Sequence, residues 1–343
     1  MEKTVRIAAI QMNADPARTQ ERLARADGLV AQAAKSGAQF VILPEVFNTG
    51  YEYSDQNYLL AESLDGPTAR WMRNCAAQYQ IHLAGSFLRR QGDKIFDTLL
   101  LAAPDGQEWR YDKNYPWFWE RAYFQKGGGI TVADTALGKI GLLICWDVAH
   151  PELWQRYAGK VELMAVSSCP PNILDMSLVF PDGQRIASSS SGALVQFLKR
   201  STDEIFGKFL RRQAAWLGVP LVNTTSIGAF TTSIPNSKYS LSLFALFAPK
   251  LWKYRAWFSQ ARIETGYFNE TYIADTGGKV LRRVPPAEEG YALSEVSLPA
   301  APPFPKGKQP AFGIPFLAYL MDAFINWLMA SEYKKKTRKY LGR

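Results

Sequence analysis

The chain has 343 residues, 47% of them hydrophobic, and 40 Lys and Arg against 31 Asp and Glu, for a formal net charge of +9. That is enough apolar material for one large domain or two small ones, and no run of ~18 or more apolar residues offers an ordinary spanning helix. Three cysteines with no CxxC pair and only two histidines exclude a disulfide framework and leave metal binding by His/Cys clusters without support, so no metal is expected.

The opening "MEKTVRIAAIQMNADP" has no apolar signal-peptide core, which points to a cytoplasmic, reducing setting. Residues 5–12 read as a strand buried on both faces. Residues 16–36 read as a helix, with Leu23, Ala26, Leu29, Val30 and Ala33 at helical spacing. "QFVILPE" (39–45) is a strand stopped by Pro44, and a helix follows Pro67. Strands at 81–88 and 95–103 come next, then the run "GLLIC" and a helix from Pro151. A strand at 162–168, a helix around 193–217 and strands at 219–224 and 270–275 complete the pattern. Alternation of this kind implies a mixed sheet with helices outside it. The spacing predicts one domain over 1–303, with an amphipathic insertion at about 235–262 and a C-terminal extension at 304–343.

Three predicted strand ends carry reactive groups: Glu45, Lys113 and Cys145. Residues ejected from strand ends face the crevice where open α/β sheets bind ligands. A thiol needs a base or cation beside it to react, and with so little histidine a carboxylate is the natural candidate. Glu45 would take the thiol proton, while Lys113 and the backbone N–H of Trp146 would stabilise an oxyanion. Glu45 would then protonate the departing amine and activate water. The reaction class is amide hydrolysis through an acyl-enzyme.

These blocks resemble the signature motifs of the nitrilase, or carbon-nitrogen hydrolase, superfamily. "VILPEVFNTGY" is similar to its Glu motif, "YDKNYPWFWERAYFQKGG" to its Lys motif and "GKIGLLICWDVAHPE" to its Cys motif. The resemblance implies a four-layer α-β-β-α sandwich, usually dimerised into an eight-layer block, with no metal or organic cofactor. It implies that Glu120 is the second glutamate that positions Lys113 and substrate. "CWD" is similar to the amidase and carbamoyl-amidase branches. A small-molecule amide or N-carbamoyl amine is therefore the expected substrate, with nitrile hydrolysis, acyl transfer or a catalytically silent scaffold as alternatives. Tyr51, Trp117, Trp146 and Cys169 are expected to line the substrate pocket.

The positive charge is concentrated in two aromatic segments. Residues 235–262 hold five Lys and Arg and no acid, with Trp252, Trp257 and Phe258 among them; residues 304–343 hold eight against two acids. In the tail, Phe316, Phe324 and Trp327 belong to an apolar helix with a narrow polar stripe of Asp322 and Asn326, followed by Lys334, Lys335 and Lys336. A helix of ~16 residues spans ~24 Å, too short for a bilayer. An interfacial helix on the anionic cytoplasmic face of a membrane is the expectation, with packing on a partner subunit as its rival. Nucleic acid is disfavoured, because large aliphatics interleave the charges.

Overall fold

The computed structural model describes residues 3–187, 204–311 and 316–342. Its first strand, β1 (Lys3–Asn13), is apolar on both faces because both are covered. Val5, Ile7 and Ala9 point into the main core, while Ala8, Ile10 and Met12 lie under α1 (Thr19–Lys35) and α3 (Pro67–Tyr79). From β1 one sheet continues through β2 (Phe40–Ile42), β3 (His82–Gln91), β4 (Lys94–Ala102) and β5 (Glu108–Asp112). The other edge of β1 pairs antiparallel with β17 (Gly290–Leu298) and, at its end, parallel with β12 (Ser226–Ile227).

A second sheet runs in the order β16 (Val280–Arg283), β15 (Tyr272–Ala274), β11 (Leu221–Thr224), β8 (Leu163–Ser167), β7 (Gly138–Ile144), β6 (Val132–Thr135). Leu153, Trp154 and Tyr157 of α4 (Pro151–Tyr157) and Leu210, Ala214 and Leu217 of α5 (Leu210–Leu217) are buried in the main core. Between the sheets, the Ser167 hydroxyl donates to the Leu43 carbonyl at 2.9 Å. The result is the four-layer α-β-β-α sandwich. Of the helix expected around 193–217, residues 193–203 lie outside the described residues, and a π turn at Glu204–Phe209 leads into α5.

Short α2 (Gln56–Leu60) and a small third sheet sit to one side. That sheet joins β10 (Arg185–Ala187), β9 (Ser177–Val179), β14 (Arg262–Gly266) and β13 (Ala229–Ser233). The basic insertion folds as α6 (Ser237–Phe247) followed by a 3-10 stretch, Pro249–Gln260. Within it Phe258 is buried against the core rather than offered to lipid, because it turns inward beside Leu251. Trp252 and Trp257 are partly exposed, at 39% and 36%.

The C-terminal helix α7 (Phe316–Leu341) has 26 residues, ten or so more than expected. No helix among the described residues is long and apolar enough to cross a membrane. The buried face of α7 is mixed in polarity, and part of its exposed face is apolar. Its Asp322 and Asn326 are buried, while Phe316, Leu320, Phe324 and Trp327 are 81%, 54%, 46% and 71% exposed. Ile325, Met329 and Tyr333 fill the main core, and Tyr333 Oη accepts from the Ile95 backbone N–H at 2.9 Å. Lys336 is taken out of the free lysine run by an ion pair with Asp55 at 2.5 Å. If α7 is integral to the core, Ile325→Ala and Met329→Ala should each lower stability by about 2–5 kcal/mol in urea unfolding. Unchanged midpoints would mean that the helix is not docked.

Candidate active site

Each reactive side chain leaves the sheets at a constrained turn. Cys145 follows the last residue of β7 with φ +44°, a left-handed conformation that side-chain-bearing residues rarely adopt. It opens the 3-10 turn Cys145–Ala149, which is held by Asp147. The Asp147 carboxylate accepts from the backbone N–H groups of Asn114 and Tyr115, at 3.1 and 2.8 Å, and from the Tyr111 hydroxyl at 2.8 Å. One buried aspartate therefore clamps the cysteine turn to the lysine turn; burial pushes its carboxyl up to about 7. Sequence reasoning used "CWD" only as a clue to substrate and missed this clamp.

Glu45 follows Pro44 and precedes Val46, whose φ is +48° and whose N–H donates to Ser86 Oγ at 3.0 Å. Lys113 follows β5, its N–H bonded to the Asp97 carbonyl at 2.9 Å and its carbonyl to the Gly127 N–H at 2.7 Å. A Cβ on Gly127 would lie 2.2 Å from the Asp112 carbonyl oxygen, so only glycine permits this approach.

The three turns deliver a fully buried cluster. Lys113 Nζ lies 2.7 Å from Glu45 Oε1 and 2.6 Å from Glu120 Oε2. Glu120 Oε2 also accepts from the Trp117 N–H at 2.6 Å, and its other oxygen accepts from the Tyr51 hydroxyl. Burial works against the Lys113 ammonium, but Glu120 and Glu45 outweigh it and hold its pKa well above the ordinary value. The Cys145 thiol is pushed well up, first by burial and then by Glu45, with Lys113 opposing. These surroundings favour the thiol over the thiolate, so activation calls for a base to take the proton.

Above the thiol lies a narrow cleft with about 20 Å³ open to the centre of a water-sized molecule. It is lined by Trp117, Glu120, Cys145 and Trp146 and by Pro170, Pro171, Ile173, Ile205 and Phe206. Trp117 and Trp146 thus stand where expected. Tyr51 is not among the residues that line this cleft; its hydroxyl bonds Glu120, and the two line a separate small cavity together. Nor does the Cys169 side chain line the cleft; it is buried and turned towards Ser226 and Tyr267, and its backbone N–H faces the Cys145 sulfur instead.

A carbon-nitrogen hydrolase family model matches residues 6–190, more than half of the chain. The chain belongs to the carbon-nitrogen hydrolase family. It is 28% identical over 160 residues to a nitrilase of Pyrococcus abyssi, covering 46% of this chain and 61% of the relative. It is 31% identical over 170 residues to the omega-amidase NIT2 of Bos taurus (46% and 60% covered), and 30% identical over 166 residues to a citrullinase of Francisella tularensis (46% and 58%). The match spans about six-tenths of the length of these curated relatives. Among solved structures, an amidase from Nesterenkonia sp. superposes with a TM-score of 0.61 at 20% identity, covering 85% of this chain and 90% of that one. A carbon-nitrogen hydrolase superfamily protein of Xanthomonas campestris gives the same TM-score at 18% identity, with 87% and 91% covered. These likenesses establish the sandwich.

The family model ends before α7, yet α7 reaches the site. Asp322 Oδ1 accepts the N–H of Phe118 at 2.8 Å, in the 3-10 turn Phe118–Ala122 that carries Glu120; Phe118 itself has φ +42°. Tyr319 Oη donates to the Ala149 carbonyl at 2.8 Å, at the end of the cysteine turn. Asp322→Ala would leave the Phe118 N–H buried and unpaired, at a cost of about 1–3 kcal/mol, and free the Glu120 turn. Its kcat should drop severalfold, whereas Asp322→Asn, which keeps an acceptor oxygen, should retain most activity. A normal kcat in the alanine variant would remove α7 from the site.

Proposed function

We propose that the chain hydrolyses a non-peptide amide through a thioester on Cys145, with Glu45 as base, Lys113 as oxyanion partner and Glu120 as the group that orients Lys113. The observation that carries this reading is the buried Glu45–Lys113–Glu120 cluster beside the Cys145 thiol in a cleft. Glu45 takes the thiol proton as sulfur attacks the amide carbon, and the oxyanion forms against Lys113 Nζ and the Trp146 N–H. Glu45 returns the proton to the departing nitrogen, the C–N bond breaks, and an amine or ammonia leaves. Glu45 then removes a proton from water, which attacks the thioester; the acid departs and the thiol is restored. The apolar wall of Pro170, Pro171, Ile173 and Phe206 favours an apolar acyl group. Relatives named as amidase, citrullinase and nitrilase are consistent with carbon-nitrogen chemistry.

Cys145→Ala should abolish ammonia release from a panel of amides, carbamoyl amines and nitriles while unfolding normally. Cys169→Ala, whose backbone contribution survives, should keep most of its turnover. Retained kcat in the Cys145 variant would sink the mechanism.

A second reading concerns location and rests on the exposed apolar stripe of α7. We propose that its exposed stripe of Phe316, Leu320, Phe324 and Trp327, with Lys334 and Lys335 beyond it, rests on an anionic membrane surface. The insertion adds exposed Leu246, Trp252 and Trp257. Both segments pack on the Phe118–Ala122 turn, where Phe244 stacks on Phe118 and Asp322 holds its N–H. The protein should float with anionic vesicles and release with salt, since each basic residue near the surface contributes about 1 kcal/mol and is screened over a Debye length. Phe324→Asp with Trp327→Asp should abolish flotation without unfolding. If light scattering instead showed these substitutions dissociating a dimer that ignores vesicles, the stripe would be a subunit interface.

A further inference from the structure

The cluster around Lys113 contains a third carboxyl that the mechanism above does not use. Asp97 lies on β4, fully buried, and its carbonyl holds the Lys113 N–H. Its side chain faces the Glu45 carboxylate and the Ser86 hydroxyl. Among the described residues no donor stands in hydrogen-bond geometry to either oxygen of Asp97 or to Glu45 Oε2, although the Ser86 hydroxyl lies near enough to Asp97 to favour its charged form. The other Glu45 oxygen is occupied by Lys113.

Among the described residues no cation is hydrogen-bonded to Asp97, and Lys113 acts on it only through its field. Arg89, on the neighbouring strand, emerges on the opposite face of the sheet with Thr98 and is paired to Asp112 at 2.9 Å. Lys113 commits two of its three protons to Glu45 and Glu120. Two buried carboxylates that face each other cannot both remain ionised without a donor between them. A single shared proton bridges Glu45 Oε2 and one Asp97 oxygen, and leaves the other Asp97 oxygen to the Ser86 hydroxyl that faces it. It belongs on Asp97, because Glu45 alone of the two touches the ammonium. We infer that Asp97 is a neutral carboxylic acid that donates its proton to Glu45 Oε2 and thereby holds Glu45 as a charged, correctly aimed base.

Asp97 is thus a positioning residue, acting through Glu45; the groups that face it are Glu45, Lys113 and Ser86. Burial, reinforced by Glu45 and opposed by Lys113, pushes its carboxyl well above the usual range. The oxygen of Glu45 that receives this bond retains a second lone pair for the Cys145 proton. Asparagine reproduces the neutral donor, which alanine cannot.

The inference rests on Glu45 as the base, and the test separates the two. Infrared spectra of the wild type, with and without carbon-13 aspartate, should show a protonated aspartate C=O band. The measurement is made above the range near 7 where Asp147 and Asp322 titrate. Asp97→Asn should lose that band and yet keep most of kcat, with the acidic limb of its pH profile in place. Asp97→Ala should lose about 10²-fold in kcat, the order of a general-base contribution. Absence of the band in the wild type overturns the proposal, and needs no variant to fold. So does an acidic limb that moves down by about one unit in Asp97→Asn, the signature of removing a negative neighbour. If Glu45→Gln kept full activity while the band persisted, the base assignment would fail and the neutral Asp97 would stand.

Discussion

Everything at this site depends on one buried ammonium held between two carboxylates. Placing Lys113, Glu45 and Glu120 out of water is costly for each alone, and removing one partner of such a group typically costs about 3–5 kcal/mol. Their mutual distances of 2.6 and 2.7 Å offset that cost and fix all three side chains. The charge balance has a chemical consequence. Burial and the negative neighbours of Cys145 work against a thiolate, so Glu45 is needed to take the proton as sulfur attacks.

The scaffold delivers this cluster through turns rather than through regular structure. Glu45, Lys113 and Cys145 each sit at or just beyond a strand end, and Asp147 binds the second of these turns to the third. Strain is concentrated there, with positive φ at Val46, Phe118 and Cys145. Rigid sheets on either side over-determine these conformations, which is how such backbone geometry persists. The C-terminal helix then closes the arrangement, because Asp322 supplies an acceptor that the Phe118 turn lacks.

Strands and helices with strong apolar periodicity were legible in the sequence: β1, α1, α3 and β8 fall within a few residues of expectation. So were Glu45, Lys113, Glu120 and Cys145, because strand-end positions and family motifs coincide there. Tyr51, Cys169, Phe258 and Lys336 have surroundings that the sequence did not show, for a common reason. Each is of a type that suits a pocket or a lipid surface, but a specific partner claims or buries it: Glu120 for Tyr51, Ser226 and Tyr267 for the Cys169 thiol, the core for Phe258, Asp55 for Lys336. The orientation of α7 was equally hidden. A pattern of apolar residues around Asp322 and Asn326 cannot say which face is inside until the unpaired N–H of Phe118 is placed beside it. Asp97 gave no sequence signal, since a lone acid in a strand reads as an exposed position.

The central claim is that carbon-nitrogen cleavage proceeds through a covalent bond to Cys145. Rapid-quench intact-mass analysis of the protein with a turned-over amide, followed by peptide mapping, tests it most directly. The account predicts an adduct equal in mass to the acyl group, confined to the peptide containing Cys145 and removed by hydroxylamine as a thioester should be. Turnover with no such adduct under conditions where acylation outpaces hydrolysis, or an adduct on Cys169 instead, would contradict it.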